Sequence, residues 1–234
     1  YGAASLVLTP TAQYHCTVGS TALALSNALR QGELDAALLP YEVAASLEGC
    51  EIRAVVGYES LVIVSRQDIA ALSDLNGQTI TLQQKLAGSR AEAMLRTVLS
   101  EERIACGIAY GDAGEPFACD LDTAAALLSG DSDLRICLSV SKEWRSALPS
   151  YPPAGLCLVA RQEYLAHAGS DFTAFERALR SSMQYSDEKR KKTVAMAVSA
   201  GFAADADLAD AVYPWCDFIW LTGAEMNASL AAGK

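Results

Sequence analysis

The chain has 234 residues and carries 18 Lys and Arg against 28 Asp and Glu, a formal net charge of −10. An apolar share of 51% with 20% charged residues fits a chain that buries a real core, in one large domain or two small ones. The acidic balance excludes a nucleic-acid partner, whose phosphates need a basic face, and argues against anionic membrane surfaces. No apolar run reaches the about 18 residues of a membrane-spanning helix.

In chain order, residues 2–8 read as a short apolar helix ended by Pro10, and residues 14–18 as an alternating strand. Gly19-Ser20-Thr21 opens a helix over 22–30, with Ser20 or Thr21 as its N-cap and Gly32 in the position just past its end. Residues 36–39 are too apolar for a sheet edge and are predicted as a buried parallel strand, closed by Pro40-Tyr41. A short helix over 43–47 and a strand over 52–56 follow. An apolar strand over 60–65 leads through residues 69–72 to the Asn76-Gly77 turn and a strand over 79–82.

Gly88-Ser89-Arg90 starts a helix to about Ser100 that sets Ala91, Met94, Leu95 and Val98 on one face. A strand over 108–110, a helix over 120–128, a strand over 134–138 and a helix over 143–148 lead to Pro149-Ser-Tyr-Pro-Pro153. After a strand over 156–160, helices are predicted over 172–185, 191–200 and 207–212, then a tail with two of the three tryptophans. Strands alternating with helices imply a parallel α/β sheet in each lobe.

Two stretches nearly repeat. Glu59-Ser-Leu-Val-Ile-Val-Ser-Arg-Gln-Asp68 reads against Ala154-Gly-Leu-Cys-Leu-Val-Ala-Arg-Gln-Glu163. Upstream, Leu29-Arg-Gln-Gly32-Glu-Leu-Asp35 reads against Leu127-Leu-Ser-Gly-Asp-Ser-Asp133. A unit of helix, Gly-x-x-Asp, strand and crossing strand therefore occurs twice. It predicts two similar lobes, residues 1–59 plus 161–234 and residues 60–160, joined by two crossing strands over a ligand cleft.

Three patterns, in this order, carry a family resemblance: Leu29-Arg-Gln-Gly-Glu-Leu-Asp-Ala-Ala-Leu-Leu-Pro40 before a short Ala-rich helix; Asp74-Leu-Asn-Gly-Gln-Thr-Ile80 before Gly88-Ser89 and a helix; and the tail from Ala211 to Met226. The chain resembles the type II periplasmic-binding fold, and within it the nitrate, sulfonate and thiamine-pyrimidine-precursor group of ABC transporter substrate-binding proteins. That resemblance implies a two-lobed α/β receptor, monomeric, outside the cytoplasm as a membrane-anchored lipoprotein. Its partners would be a small-molecule ligand and ABC permease subunits with a cytoplasmic ATPase, without a cofactor. Its signal segment would lie ahead of Tyr1. The family's first strand and ligand-facing loop have no counterpart before Tyr1 and Gly2, which leaves those two as edge candidates.

In open α/β sheets ligands sit at strand carboxyl ends beside helix N-termini. That rule selects Ser20 and Thr21, then Pro40 and Tyr41, then Gln84 and Ser89 with Gln83, Gly88 and Arg90 beside them. The start of the first crossing strand adds Tyr58, Glu59 and Ser60; a second-lobe strand end adds Tyr110 and Asp112; Tyr151 precedes the second crossing. Glu59 suits a cationic ligand and the tyrosines a ring, so the expected ligand is a heteroaromatic vitamin precursor or a sulfonate. Trp215, Asp217 and Trp220 are read as anchors of the tail on the first lobe, and Trp144 as core.

Only His15 and His167 are present, neither placed near a nucleophile with an orienting acid. The sequence lacks a phosphate loop, Gly-x-Gly-x-x-Gly and His-Glu-x-x-His. Seven cysteines without a Cys-x-x-Cys pair read as buried thiols, with no metal site. No catalytic residue is assigned. The same fold hosts chorismate-dehydratase-like lyases and the sensor domains of regulators, which stand as the alternative readings.

Overall fold

The computed structural model describes residues 14–15, 21–199 and 205–232. The helix over 2–8, the Ser20 cap, Tyr1, Gly2, Gly19 and most of the strand over 14–18 lie outside the described residues, as does the last residue of the helix over 191–200.

In chain order the elements are α1 (Ala22–Gln31), β1 (Ala36–Pro40), α2 (Tyr41–Ala44), β2 (Cys50–Tyr58), β3 (Val62–Ser65), β4 (Thr79–Gln83), α3 (Arg90–Glu101), β5 (Gly107–Gly111), β6 (Phe117–Cys119), α4 (Leu121–Gly130), β7 (Arg135–Ser139), α5 (Val140–Ala147), β8 (Ala154–Arg161), α6 (Gln162–Glu188), α7 (Arg190–Ser199), α8 (Ala206–Val212), β9 (Phe218–Leu221) and α9 (Gly223–Ala231). Short 3-10 turns fill Leu72–Leu75, Gln84–Leu86 and Tyr213–Trp215. α6 is one helix broken at Ala168, whose φ of −130° and ψ of 30° leave the helical region next to Gly169.

Packing divides the chain into two units. One runs up to Gly57 and takes Gly155–Tyr213 and Phe218–Thr222; the other holds Tyr58–Ala154, Pro214–Asp217 and the chain from Gly223 onward. The tail is therefore shared, β9 going with the first unit and α9 with the second.

The first unit holds a sheet ordered β1-β8-β2-β9, the second a sheet ordered β5-β4-β6-β3-β7. Neither is the all-parallel sheet that the alternation of strands and helices suggests. β1 pairs antiparallel with β8, and β2 with β9. In the second sheet β4 runs parallel to β5 and β6, while β3 is antiparallel to both β6 and β7. The reason is connectivity: β3 and β8 enter each sheet from the opposite unit, not over a crossover helix, so they can run against their neighbours. β1, expected inside a parallel sheet, stands at the edge among the described strands, with only Leu39 fully buried.

The repeat seen in sequence has a spatial counterpart with an exchange. β1, which follows α1, pairs with β8; β7, which follows α4, pairs with β3. Each repeat's last strand is thus seated in the other repeat's sheet. The arginine ending it binds there: Arg161 Nη2 donates to Asp35 Oδ1 at 3.1 Å, and Arg66 pairs with Asp131.

The two helix ends differ. Gly32 sits at φ +77° and closes α1 with its own N–H on Leu29 O and the Glu33 N–H on Ala28 O. Gly130 is the last residue of α4 and has no left-handed geometry. Gly32→Ala is expected to cost about 1 kcal/mol, because its Cβ would be both left-handed and 3.2 Å from Arg161 Nη1. Gly130→Ala, with open space around its Cβ, is expected to be neutral or stabilising. Urea unfolding of both variants checks the contrast.

Each sheet has its own core. In the second unit Ile63, Ile80 and Leu82 meet Met94, Leu95 and Val98 of α3, the face the helical spacing selects. In the first, Val56 and Leu158 pack on Phe172, Leu179 and Met183 of α6, with Trp220 beside them.

Candidate functional site

Strand direction fixes where a ligand could sit on each unit. In the second unit β4, β5, β6 and β7 share one direction, so Gln83, Gly111, Cys119 and Ser139 end on a common edge. β3 runs the other way and starts there, bringing Tyr58, Glu59 and Ser60 to the same edge. α4 begins at this edge, with Asp120 as N-cap accepting from Thr123 N at 2.8 Å. α5 begins there directly after Ser139. Strand ends and helix N-termini converge as ligand-binding α/β edges require.

One cluster on this edge joins residues far apart in sequence. Tyr58 is 7% exposed, and its ring lies 5.5 Å from the Arg145 guanidinium of α5. Burial pushes the Tyr58 phenol up, with Arg145 pulling the other way. Arg145 Nη2 also donates to Asp217 Oδ1 at 2.9 Å, and Ser141 Oγ donates to Asp217 Oδ2. Ser139 and Ser141 hydroxyls stand 2.9 Å apart. Tyr151 donates its hydroxyl to Glu225 Oε1 at 2.7 Å. The Glu59 N–H donates to Pro153 O at 2.7 Å, joining the two segments that leave the unit. Ser60 is half-buried, and its Oγ is sealed from solvent with no hydrogen-bond partner among the described residues.

The other predicted contacts separate. Gln84 is exposed on its 3-10 turn. Gln83 is buried, donating to Thr123 Oγ1 at 2.9 Å and accepting from Asp120 N at 3.3 Å. Against the upward pull of burial, Lys85 and the Thr123 hydrogen bonds hold the Asp120 carboxyl below its ordinary value. Ser89 caps α3, accepting from Glu92 N at 3.3 Å and donating to Leu86 O at 2.6 Å. Its hydroxyl is spent on the helix start, and Ser89→Ala is expected to cost about 1 kcal/mol by chemical denaturation.

Arg90, considered for an anionic ligand, instead donates to Ala154 O at 3.1 Å and to the last carbonyls of α9. Asp112 is exposed at the end of β5. Trp215 packs under Lys142 Nζ, 5.0 Å from the ring centre, in the second unit, while Trp220 belongs to the first unit's core. Trp144 is core, its Nε1 donating to Ser150 O at 3.0 Å.

Tyr110, 44% exposed, is taken up by α3: its hydroxyl donates to Glu92 Oε1 at 2.5 Å and accepts from Arg96 Nη2 at 2.9 Å. The Tyr110 hydrogen bond and the Gly88 N–H hold the Glu92 carboxyl below the ordinary glutamate value of 4.5. A carboxylate lowered on folding stabilises above its unfolded value and loses that contribution as pH falls through the folded one. Glu92→Gln should therefore be markedly less stable than the parent at neutral pH. The gap should narrow on acidification, which urea midpoints across pH will read.

On the first unit, Pro40 ends β1 and Tyr41 opens α2, both half-buried. Thr21 caps α1, accepting from Ala24 N at 3.1 Å. α1 packs along β1 with Gly32 at the Arg161 end, so Thr21 returns toward the Pro40 end of the sheet. Ser20 lies outside the described residues.

Sequence reasoning missed Arg145, Ser139, Ser141 and Glu225. An arginine on a short polar helix reads as solvated, and no local pattern marks its partner 72 residues on. Among the described residues no group of three His, Cys, Asp or Glu could hold a metal, and no cysteine is joined in a disulfide. Burial pushes the Cys119 thiol up to about 12 and the Cys216 thiol to about 11.

No protein-family description matches the chain, and no curated protein sequence does. Solved structures do. An ABC transporter structure from Parabacteroides distasonis superposes with a TM-score of 0.67 at 19% identity, covering 91% of this chain and 77% of that one. The periplasmic aliphatic sulphonate binding protein SsuA from Escherichia coli gives 0.66 at 14% identity, covering 99% and 82%. The ligand-binding component of an ABC-type import system from Staphylococcus aureus, with zinc bound, gives 0.61 at 16%, covering 94% and 81%. The fold is that of the type II periplasmic-binding proteins. At these identities the likeness speaks for the fold and leaves the ligand open.

Proposed function

We propose that this protein is the extracytoplasmic solute-binding component of an ABC transporter. It captures a small molecule, a heteroaromatic vitamin precursor or a sulfonate, and passes it on without turnover. The observation that carries the reading is the carboxyl edge of the second sheet, where the ends of β4, β5, β6 and β7, the N-termini of α4 and α5 and the segment from Tyr58 to Ser60 come together. The likeness to transporter binding proteins, a sulphonate-binding one among them, supports the same role.

In this reading Tyr58, Glu59, Ser60, Gln84 and Tyr151 supply contacts from one unit, and Ser20, Thr21, Pro40 and Tyr41 from the other. Solute shifts the protein to a closed form only through contacts made with both. Closure is a hinge motion where the chain passes between units. Permease subunits then recognise the closed form, with the receptor a monomer held at the membrane by a lipid anchor.

Ser60→Leu tests the site. Leucine enlarges the side chain at this sealed position and should weaken any solute that stabilises the parent by at least tenfold, at a cost of about 1–3 kcal/mol in unliganded stability, so affinity is read on the folded fraction. Undiminished affinity would remove Ser60, and the edge segment it belongs to, from the site.

A further inference from the structure

We propose that the carboxyl edge of the second unit turns away anionic solutes, and that Asp217 is the residue that sets this selection. The inference rests on the receptor reading and takes one side of it: the solute is the neutral or cationic heteroaromatic molecule, not the sulfonate.

An anion is ordinarily held at such an edge by a helix N-terminus and a basic side chain. Both are present in the second unit, and the chain fills them itself. Ser139 precedes α5 but makes no side-chain capping bond to it. Its hydroxyl stands instead 2.9 Å from that of Ser141, in the first turn of the helix, and both serines are buried. Ser141 Oγ donates to Asp217 Oδ2, and Arg145 Nη2, one turn further along α5, donates to Asp217 Oδ1 at 2.9 Å. Both oxygens of one carboxylate are therefore bound at the start of α5, where the helix dipole favours a negative charge. Asp217 keeps only 14% of its side-chain surface exposed. The segment that carries it, Pro214–Asp217, packs with the second unit and is held there again by Lys142 Nζ, which donates to Pro214 O at 2.8 Å. Asp217 thus stands where the acid group of a solute would.

The other cations around this edge are also engaged by the chain. Lys85, just past β4, pairs with Asp120, the N-cap of α4. Lys142, besides its bond to Pro214, lies over the Trp215 ring at 5.0 Å. Acidic groups remain beyond these pairs: Asp112 after β5 and Asp122 in the first turn of α4 are both exposed. The Cys216 thiol is raised by burial above all, and Asp122 and Asp217 add to that while Lys142 opposes it, so Asp122 stands near the same segment. A sulfonate or carboxylate arriving here would meet like charge, and it would have to displace a tethered carboxylate from its charged donor. A neutral or cationic ring meets neither obstacle.

The test uses methanesulfonate as the anionic probe, in calorimetric titrations of the whole protein at constant ionic strength. The parent should show no saturable binding in the millimolar range. Asp217→Ala, which vacates the position beside Arg145 and Ser141, should bind the probe at least about tenfold more tightly than the parent. Asp217→Ala combined with Arg145→Gln should lose that gain. Asp217→Asn, which keeps the size of the side chain and frees Arg145 of its counter-charge, provides a second route where Asp217→Ala folds poorly. Saturable binding to the parent would overturn the proposal, as would the absence of any gain in Asp217→Ala and Asp217→Asn, or a gain that survives Arg145→Gln. The selection and the receptor reading fail separately: an alkyl sulfonate that binds the parent and is recovered unchanged would sink the selection and leave the receptor standing.

Discussion

Arg90→Ala is expected to lower stability by about 3 kcal/mol, far more than a surface arginine would. The last carbonyls of a helix have no partner within it, and they carry the negative end of its dipole. Arg90, at the start of α3, supplies that partner to α9. Its Nη2 donates to Ser229 O at 3.4 Å and to Ala232 O, and its Nη1 to Ala154 O at 3.1 Å. Removing it leaves these acceptors short of a charged donor in a half-buried place. Ser229 Oγ, on Pro152 O at 2.7 Å, cannot hold the helix alone. Urea unfolding should show the loss, and amide exchange should rise first in α9. Arg96→Ala, which removes the exposed partner of the i,i+4 pair with Glu92, should cost about 1 kcal/mol under the same conditions. Equal losses in the two variants would refute the clamp.

Tyr58→Ala is the second large effect. The ring is buried at the point where β2 leaves its sheet, and truncating a buried aromatic costs about 3–4 kcal/mol. It also removes the face on which Arg145 rests. Tyr58→Phe keeps the ring and should stay within about 1 kcal/mol of the parent. The pair separates two roles for solute binding. If Tyr58 is an aromatic wall, Tyr58→Phe keeps affinity and Tyr58→Ala with Tyr41→Ala loses it. If neither alanine variant changes affinity for a solute that binds the parent, the aromatic-wall idea fails.

Local physics was readable along the chain. Thr21, Gly32, Asn76-Gly77 and Ser89 each carry a cap or turn signal within four residues, and each stands where that signal puts it. The face of α3 followed from spacing alone. The repeat was also readable, because helix end, Gly, Asp and strand recur in the same order. Its exchange was not: an apolar strand has the same side-chain period whether its partner is parallel or antiparallel, so residues 36–39 gave no hint that β8 runs against them. β6, three residues long, and β9, embedded in an aromatic tail, are too short for a period to show.

The candidate site was legible only where chain direction decides it. Strand ends pointed to Tyr58 to Ser60, but Tyr110 was drawn to Glu92 and Arg96 by side-chain chemistry that spacing does not encode. Arg90 was a similar case: its partners lie on α9, about 140 residues downstream by the reach of its hydrogen bonds. Arg145 with Asp217, and Tyr151 with Glu225, are pairings that only the folded chain creates.

The central claim is that the protein binds a small solute and returns it intact. A thermal-shift screen tests it directly, using thiamine and its pyrimidine precursors, riboflavin, taurine, alkyl sulfonates, nitrate, amino acids and chorismate-like acids, with mass spectrometry of each mixture afterwards. The account predicts that one class raises the midpoint in proportion to the logarithm of its concentration and is recovered unchanged. Recovery of a hit as product would contradict it and make the protein an enzyme on the same fold.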